Sequence, residues 1–508
     1  MKLIRAEEVP EIVPNGAGIA TGAFIGCAFP DALTAEIERS FIEGGAPRDL
    51  SIFFAAGQGD SGDRGLNHLG HEGLLRFALG SHFGLLPKIV GLIINEKVEA
   101  YAFPQGIIAH LFRAASAKEP CVVTRIGLGT FVDPRIDCGA LNGVSKQRFV
   151  ELFHMDEGEY LMYRTEPFGK ADIALLRGTT ADELGNISME KEALVADALQ
   201  VATMVHNNGG RVIVQVERIA EAGTLHPQMV KIPGQLVDYV VMCRDQWQTF
   251  GEQYNPGYSG EIRVPPSAFT PLPMSTRKVI GRRAARELKK GMVANIGIGS
   301  VPESVAAVCG EEGVFQDLIL TVEPGPIGGI PAGGLSFGAS LNPWAIIDQS
   351  SQFDFYDGGG LDCACLGFAE GDEKGNVNVS RFGSRIPGPG GFIDISQSAK
   401  KVVFCGTFTA GGKIEVADGK LKIVKEGETK KFLKEVHHIT FSGDYALKAG
   451  QETVYVTERA VFRLTKNGLE LIECAPGIDI EKDIIDLMEF RPVVKAPKEM
   501  DPELFRGR

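Results

Sequence analysis

ADIALLRGTTADELGNIS, residues 171–188, returns 190 positions later as LDCACLGFAEGDEKGNVN, residues 361–378. Without a gap, Asp172 falls on Asp362, Ala174 on Ala364, Asp182-Glu183 on Asp372-Glu373 and Gly185-Asn186 on Gly375-Asn376. At the same offset GGRVIVQVERIAEAG (residues 209–223) lies over residues 399–413. Two further pairs precede these at other offsets. DLSIFFAAG (residues 49–57) matches DLILTVEPG (residues 317–325), and GAFIGCAFPDAL (residues 22–33) matches NIGIGSVPESV (residues 295–305) more loosely. Four segments in one shared order read as two homologous halves, the first enlarged by roughly eighty residues between its second and third segments.

The junction falls in PPSAFTPLPM, residues 265–274, where four prolines suppress helix and ladder hydrogen bonds. The expected domains are residues 1–270 and 275–508. VVFCGTF, DLSIFFAA and DLILTV are continuous apolar runs of buried-strand length, while KVIGRRAARELKK and QVATMVHNN read as helices. Buried strands alternating with helices imply a mostly parallel sheet covered on both faces. The expected fold is therefore α/β, built as two homologous, mostly parallel-sheet domains with ligands at the carboxyl ends of the strands.

A length of 508 residues accommodates about two to four domains. The net charge of −13 argues against a general nucleic-acid binder. No apolar run reaches the ~18–20 residues of a membrane span, and the acidic start lacks the apolar core of a signal peptide. Nine cysteines without a CxxC pair suggest reduced thiols in a cytoplasmic protein. Cys363 and Cys365 would share one face of a strand, but two thiols make no zinc site. Asn67-His68-Leu69-Gly70-His71-Glu72 lacks HExxH spacing, His437-His438 reads as surface, and neither GxSxG nor a Walker motif occurs, so no metal is expected.

The repeat acts as an internal control on chemistry. The first-half strand DLSIFF runs into Ala55-Ala56-Gly57, whereas DLILTV runs into Glu323-Pro324-Gly325 and a loop holding Gly328, Gly329, Gly333 and Gly334. An acid thus stands where the earlier copy has Ala55. It is either a surface carboxylate at a strand end or a nucleophile; a carboxylate is already ionised at neutral pH and needs no adjacent base. Oxyanion donors could come from Thr407-Phe408-Thr409-Ala410-Gly411-Gly412 after the strand KVVFCG, unless those glycines only make a turn. Asn376, matched by Asn186, reads first as a hairpin turn. The basic run from Arg277 to Lys290 puts Arg282, Arg286 and Lys289 or Lys290 on one helical face, expected to be solvated or to meet ligand phosphates. A rival reading takes Gly297-x-Gly299 as a dinucleotide fingerprint with Glu323 on a ribose, as in an NAD-dependent dehydrogenase. The third glycine is missing, and Glu323 leads into a glycine loop rather than a crossover helix.

GAFIGCAFP (residues 22–30), PQG (104–106), IGLGTFVDPR (126–135), VKIPGQLVDYVV (230–241), TVEPGPIGG (321–329), QFDFYDGGGLD (352–362), GNVNVSRFG (375–383), GPGGFIDIS (388–396) and CGTFTAGG (405–412) together resemble the class I CoA-transferases. The closest branch is the propionate/acetate one, in which both halves are fused. The resemblance implies the fold shared with ribose-phosphate isomerase and glucosamine-phosphate deaminase, with the active site between halves. It makes Glu323 the covalent nucleophile, Gly411 an oxyanion donor and, with Gly412, a contact of the CoA, and Asn376 and Glu458 supports of the nucleophile or of the closed CoA complex. Gln105, with Gly129, Gly328 and Gly329, would line the carboxylic-acid pocket, and Gly297 and Gly299 would follow the pantetheine. The implied reaction moves CoA between short-chain acyl-CoA and carboxylate (propionate, acetate, lactate or butyrate) through a glutamyl-CoA thioester. It needs no permanently bound cofactor, with CoA itself a substrate and no nucleic acid or membrane as partner. The family forms homo-oligomers. An acyl-CoA hydrolase would use the same residues while admitting water, and a non-catalytic binding module would not turn over.

Overall fold

Short runs of β-branched and aromatic residues, too apolar to leave either face in water, assemble side by side in parallel. The computed structural model describes residues 1–265, 271–417 and 419–506; residues 266–270 of the proline-rich junction lie outside the described residues. Eight strands, β1 (Lys2–Ile4), β2 (Gly18–Thr21), β3 (Leu50–Phe54), β4 (Leu75–Gly80), β5 (Glu99–Ala102), β6 (Ala171–Arg177), β7 (Arg211–Val216) and β8 (Tyr239–Met242), form one sheet. Their order is β1-β8-β7-β6-β2-β3-β4-β5, with every neighbouring pair parallel. Helices α1 (Asp31–Gly44), α2 (Gln105–Ser116) and α3 (Ala198–Asn207) belong to the same unit, α3 packing on β6 and β7.

A second set comprises β9 (Val293–Ile296), β10 (Ile319–Thr321), β11 (Cys363–Gly367), β12 (Lys401–Cys405), β13 (Glu452–Val456), β14 (Ala460–Thr465), β15 (Gly468–Cys474) and β16 (Val493–Glu499). They run in the order β10-β9-β11-β12-β13-β14-β15-β16, antiparallel only at β13/β14 and β14/β15. Helices α4 (Thr276–Ala285) and α5 (Pro302–Glu311) pack on each other here, where a Cβ on Gly281 would come within 2.7 Å of Ser304 Oγ. Cys363 and Cys365 do share a face, inside this unit's apolar core.

The stretch β8-β7-β6-β2-β3 repeats as β13-β12-β11-β9-β10, down to the register. Ile173 pairs with Arg211, and 190 positions on Cys363 pairs with Lys401. Asp172 accepts the Gly18 N–H at 3.0 Å, and its counterpart Asp362 accepts the Val293 N–H at 2.9 Å. The loosest sequence match needs a shift: the register sets Gly18 opposite Ser51 and Val293 opposite Ile319, so Gly22 corresponds to Gly297 rather than Asn295.

The chain condenses into two compact units. One is Met1–Arg263 with Val322–Asp354 and Gly383–Asp394; the other is Val264–Thr321 with Phe355–Phe382 and Ile395–Arg508. The repeat halves and the compact units are thus different partitions of the chain. The first long segment ends at Arg263, close to the proline-rich junction, but two later segments return to the first unit.

Two expectations are corrected. The basic run is only in part a solvated face: Arg286, Lys289 and Lys290 are exposed, whereas Arg282 is buried, as are Lys278 and Arg283. Arg283 pairs with Glu473 and Glu287 at 2.7 Å, Lys278 with Glu311 at 2.6 Å, and Arg282 donates to the Arg506 carbonyl at 2.7 Å. His438 is buried against Ser380 Oγ at 2.7 Å, while His437 is exposed. All nine cysteines are free. Among the described residues no helix is long and apolar enough to cross a membrane, and no group of three or more His, Cys, Asp or Glu could hold a metal ion.

Candidate active site

In the first unit Glu323 occupies the corner of a tight turn. The Val322 N–H donates to the Pro326 carbonyl at 3.0 Å, and the Gly325 N–H returns to the Val322 carbonyl at 3.1 Å. Gly325 is obligatory: its φ is 127°, and a Cβ there would sit 1.9 Å from the Ile347 carbonyl oxygen. The glycines that follow serve close packing of the loop on itself. At Gly328 a Cβ would strike the Trp344 indole at 2.3 Å, and at Gly329 the Leu341 carbonyl at 2.3 Å. Phe337 leans on Phe24 with centroids 5.8 Å apart, and Ser336 Oγ meets Thr249 Oγ at 2.8 Å.

Glu323 is therefore not a surface carboxylate. It is only 7 % exposed, and its Oε2 has no hydrogen-bond partner among the described residues. Burial lifts its carboxyl to about 7, its own backbone N–H opposing in part. An ionised oxygen without a donor to quiet it is a strong nucleophile, and desolvation strengthens it further. The counterpart, Ala55, is equally buried, and its carbonyl accepts Ser81 Oγ.

Gln105 is the first residue of α2 and is buried, Nε2 donating to Gln349 Oε1 at 3.1 Å. Its backbone N–H donates to the Gly390 carbonyl at 3.0 Å. A Cβ on Gly106 would lie 2.6 Å from Asp394 Oδ1, so that glycine lets a buried carboxyl approach the start of the helix. Burial pushes Asp394 up to about 8 against the N–H groups of Gly106, Ile107 and Gln105. The His82 ring packs on Gly57, and its imidazole is pushed down to about 4 by burial. Gly129, with φ 72°, donates its N–H to Asp133 Oδ2 at 3.0 Å, and Asp133 is held by Arg135.

In the second unit, Gly411 has φ 84° and is exposed, with nothing closer to a would-be Cβ than the Glu428 nitrogen at 3.9 Å. Gly412 is exposed too but lies close against Gly427. Beneath this strand end Glu458 is fully buried. It accepts the Phe408 N–H at 2.9 Å and the Arg459 Nε at 2.9 Å, so both oxygens are occupied in anchoring the loop. Lys431, absent from the sequence-based expectations, is buried below Gly406. It donates to the Phe368 carbonyl at 2.9 Å, and desolvation lowers its ammonium to about 8.

Asn376 closes a turn. It donates to Asp372 Oδ2 at 2.9 Å and accepts the Gly443 N–H at 3.0 Å. Asn186 makes the same pair with Asp182 at 3.0 Å and Gly234 at 2.9 Å. Gly297 donates to the Cys365 carbonyl at 2.9 Å and Gly299 to Glu303 Oε1 at 3.3 Å, forming a strand–turn–helix corner that leads into α5.

The coenzyme A transferase family profile matches residues 4–242. Across the whole chain, the caffeate CoA-transferase of Acetobacterium woodii is 47 % identical, covering 99 % of this chain and 97 % of that one. The acetate CoA-transferase YdiF of Escherichia coli K12 is 46 % identical, covering 99 % and 95 %. The alpha subunit of an E. coli K12 acetate CoA-transferase is 25 % identical, covering 48 % of this chain and 98 % of its own length. Among solved structures, the E. coli O157:H7 acyl-CoA transferase YdiF apoenzyme superposes with a TM-score of 0.93 at 45 % identity, covering 100 % and 96 %. The same enzyme as a thioester complex with CoA gives 0.92 at 45 %, covering 99 % and 96 %. With relatives of this identity aligned from end to end, the chain belongs to the coenzyme A transferase family and is a CoA-transferase.

Proposed function

We propose that the enzyme moves CoA between a short-chain acyl-CoA and a short-chain carboxylate through a glutamyl-CoA thioester on Glu323. The observation that carries this reading is the buried Glu323 carboxyl with an unpartnered Oε2, held at the corner of a rigid turn where the sister copy has only Ala55. The carboxylate adds to the acyl-CoA carbonyl and CoA leaves as thiolate, giving a mixed anhydride. The thiolate then attacks the glutamyl carbonyl and releases the acid. A second carboxylate attacks the glutamyl-CoA thioester, and the returning thiolate carries the new acyl group away. One thioester replaces another, and no net proton transfer is required. The resemblance gives the role of oxyanion donor to the Gly411 N–H. The YdiF relative has been crystallised as a thioester complex with CoA, which supports the covalent route. Relatives named for acetate and for caffeate differ greatly in acid size; the short-chain assignment therefore rests on the propionate/acetate resemblance.

The test is mass spectrometry of the peptide carrying Glu323 after incubation with propionyl-CoA, with and without borohydride. A CoA adduct on Glu323, replaced by the reduced alcohol after borohydride, is expected. An active preparation whose peptide is unmodified removes the proposal, and accumulation of free CoA in the presence of acetate would mark a hydrolase instead.

A further inference from the structure

Gln105 does not stand alone. Its Nε2 donates to Gln349 Oε1 at 3.1 Å, and Gln349 Nε2 donates to Asp197 Oδ2 at 2.6 Å. All three side chains are almost wholly buried, and all lie in the first unit. The backbone fixes both ends of the far link. Gln349 N–H donates to the Ala196 carbonyl at 3.1 Å, and a Cβ on Gly22 would sit 2.9 Å from the Asp197 carbonyl carbon. Alongside, Gln200 on α3 donates to Asp348 Oδ1 at 3.2 Å and Ser350 Oγ at 3.0 Å.

A glutamine amide can turn over, exchanging nitrogen and oxygen at almost no steric cost, so its orientation is set by its neighbours. In a chain of two amides the orientation of each depends on the next, so an acceptor at the end of the chain orients both. Asp197 Oδ2 is that acceptor. Burial and the neighbouring Asp348 carboxylate push the Asp197 carboxyl well upward. With its proton on Oδ1, which has no partner among the described residues, Oδ2 remains an acceptor.

We propose that Asp197, acting through Gln349, is a positioning residue for Gln105. It holds the amide so that the second Nε2 hydrogen of Gln105 is offered to a carboxyl oxygen of the acid substrate. The inference rests on the reading of Gln105 as the residue that faces the acid. The relay also explains three buried polar side chains, each costly to bury unless bonded.

The experiment measures steady-state kinetics of the full-length enzyme with propionyl-CoA and acetate, alongside mass spectrometry of the Glu323 peptide. Asp197→Leu and Gln349→Leu should each raise the acetate KM by about tenfold or more, with the propionyl-CoA KM moving less than about threefold. Asp197→Asn should restore most of the acetate affinity, since an amide oxygen can still accept. Because the relay acts only through Gln105, Asp197→Leu combined with Gln105→Ala should be no worse than Gln105→Ala alone. An unchanged acetate KM in the leucine variants, or additive losses in the double variant, overturns the relay. If Asp197→Leu does not fold, Gln349→Leu decides by the same criteria. A wild-type Glu323 peptide that never carries CoA would instead remove the underlying reaction scheme, so the two failures are separable.

Discussion

At the scale of single residues, the acidity of Glu323 links chemistry to stability. Its carboxyl rises from the ordinary 4.5 to about 7, which makes the ionised form cost the fold about 3 kcal/mol at ~1.36 kcal/mol per pH unit. Below pH 4.5 the group is neutral in both folded and unfolded chains, and nothing is lost. Between 4.5 and 7 the unfolded chain gives up its proton first, so stability falls as pH rises; above 7 the full cost persists. Glu323→Gln carries no charge, so its Tm should exceed that of the wild type by a margin that widens from pH 4.5 to 7 and then levels. In the wild type, kcat/KM should climb through pH 7 as the nucleophile ionises; a flat profile from 6 to 8 would contradict the assignment. Glu323 stood out as a candidate because the chain supplies its own comparison at Ala55. Asp197 and Gln349 did not, since partners 152 and 244 positions apart leave no local pattern.

At the scale of elements, the duplicated Asp–Asn clamp asks what Asn376 does. The resemblance makes it a support of catalysis, yet both ends of its amide are engaged as in Asn186, within a turn of the same shape. Asn376→Ala and Asn186→Ala each remove two side-chain hydrogen bonds and should lower stability by similar amounts, on the order of 1–3 kcal/mol. Neither should reduce kcat by more than about tenfold if the clamp is the whole role. Thermal melts and kcat measured on both variants check this, and a much larger kcat loss confined to Asn376→Ala would reinstate the catalytic role. The basic run shows how an element can mislead. Helical spacing grouped Arg282 with Arg286, but α4 stops at Ala285, and Arg283 finds Glu473 from a distant strand. Periodicity shows which residues share a face, not what a remote carboxylate will cover.

At the scale of the whole molecule, the doubled parallel-sheet plan was legible from the 190-residue offset, because register survives when side chains drift. The distribution of the chain between compact units was not. The Glu323 loop reads as part of the second half, yet it packs on Phe24, Thr249 and Ala196 in the first. Residues 275–508 produced alone should therefore leave that loop without its support and take up no CoA on Glu323. Co-production with residues 1–270 should restore the adduct. Mass spectrometry of the lone and paired fragments tests this, and labelling of the lone fragment would show that the loop holds itself.

The indole that covers Gly328 has a practical consequence. The chain has two tryptophans, Trp247 and Trp344, and Trp344 is 61 % exposed on the loop that begins at Glu323. With Trp247 replaced by phenylalanine, tryptophan emission excited above the tyrosine absorption band would come from that loop alone, giving an intrinsic optical signal of ligand arrival with no attached dye.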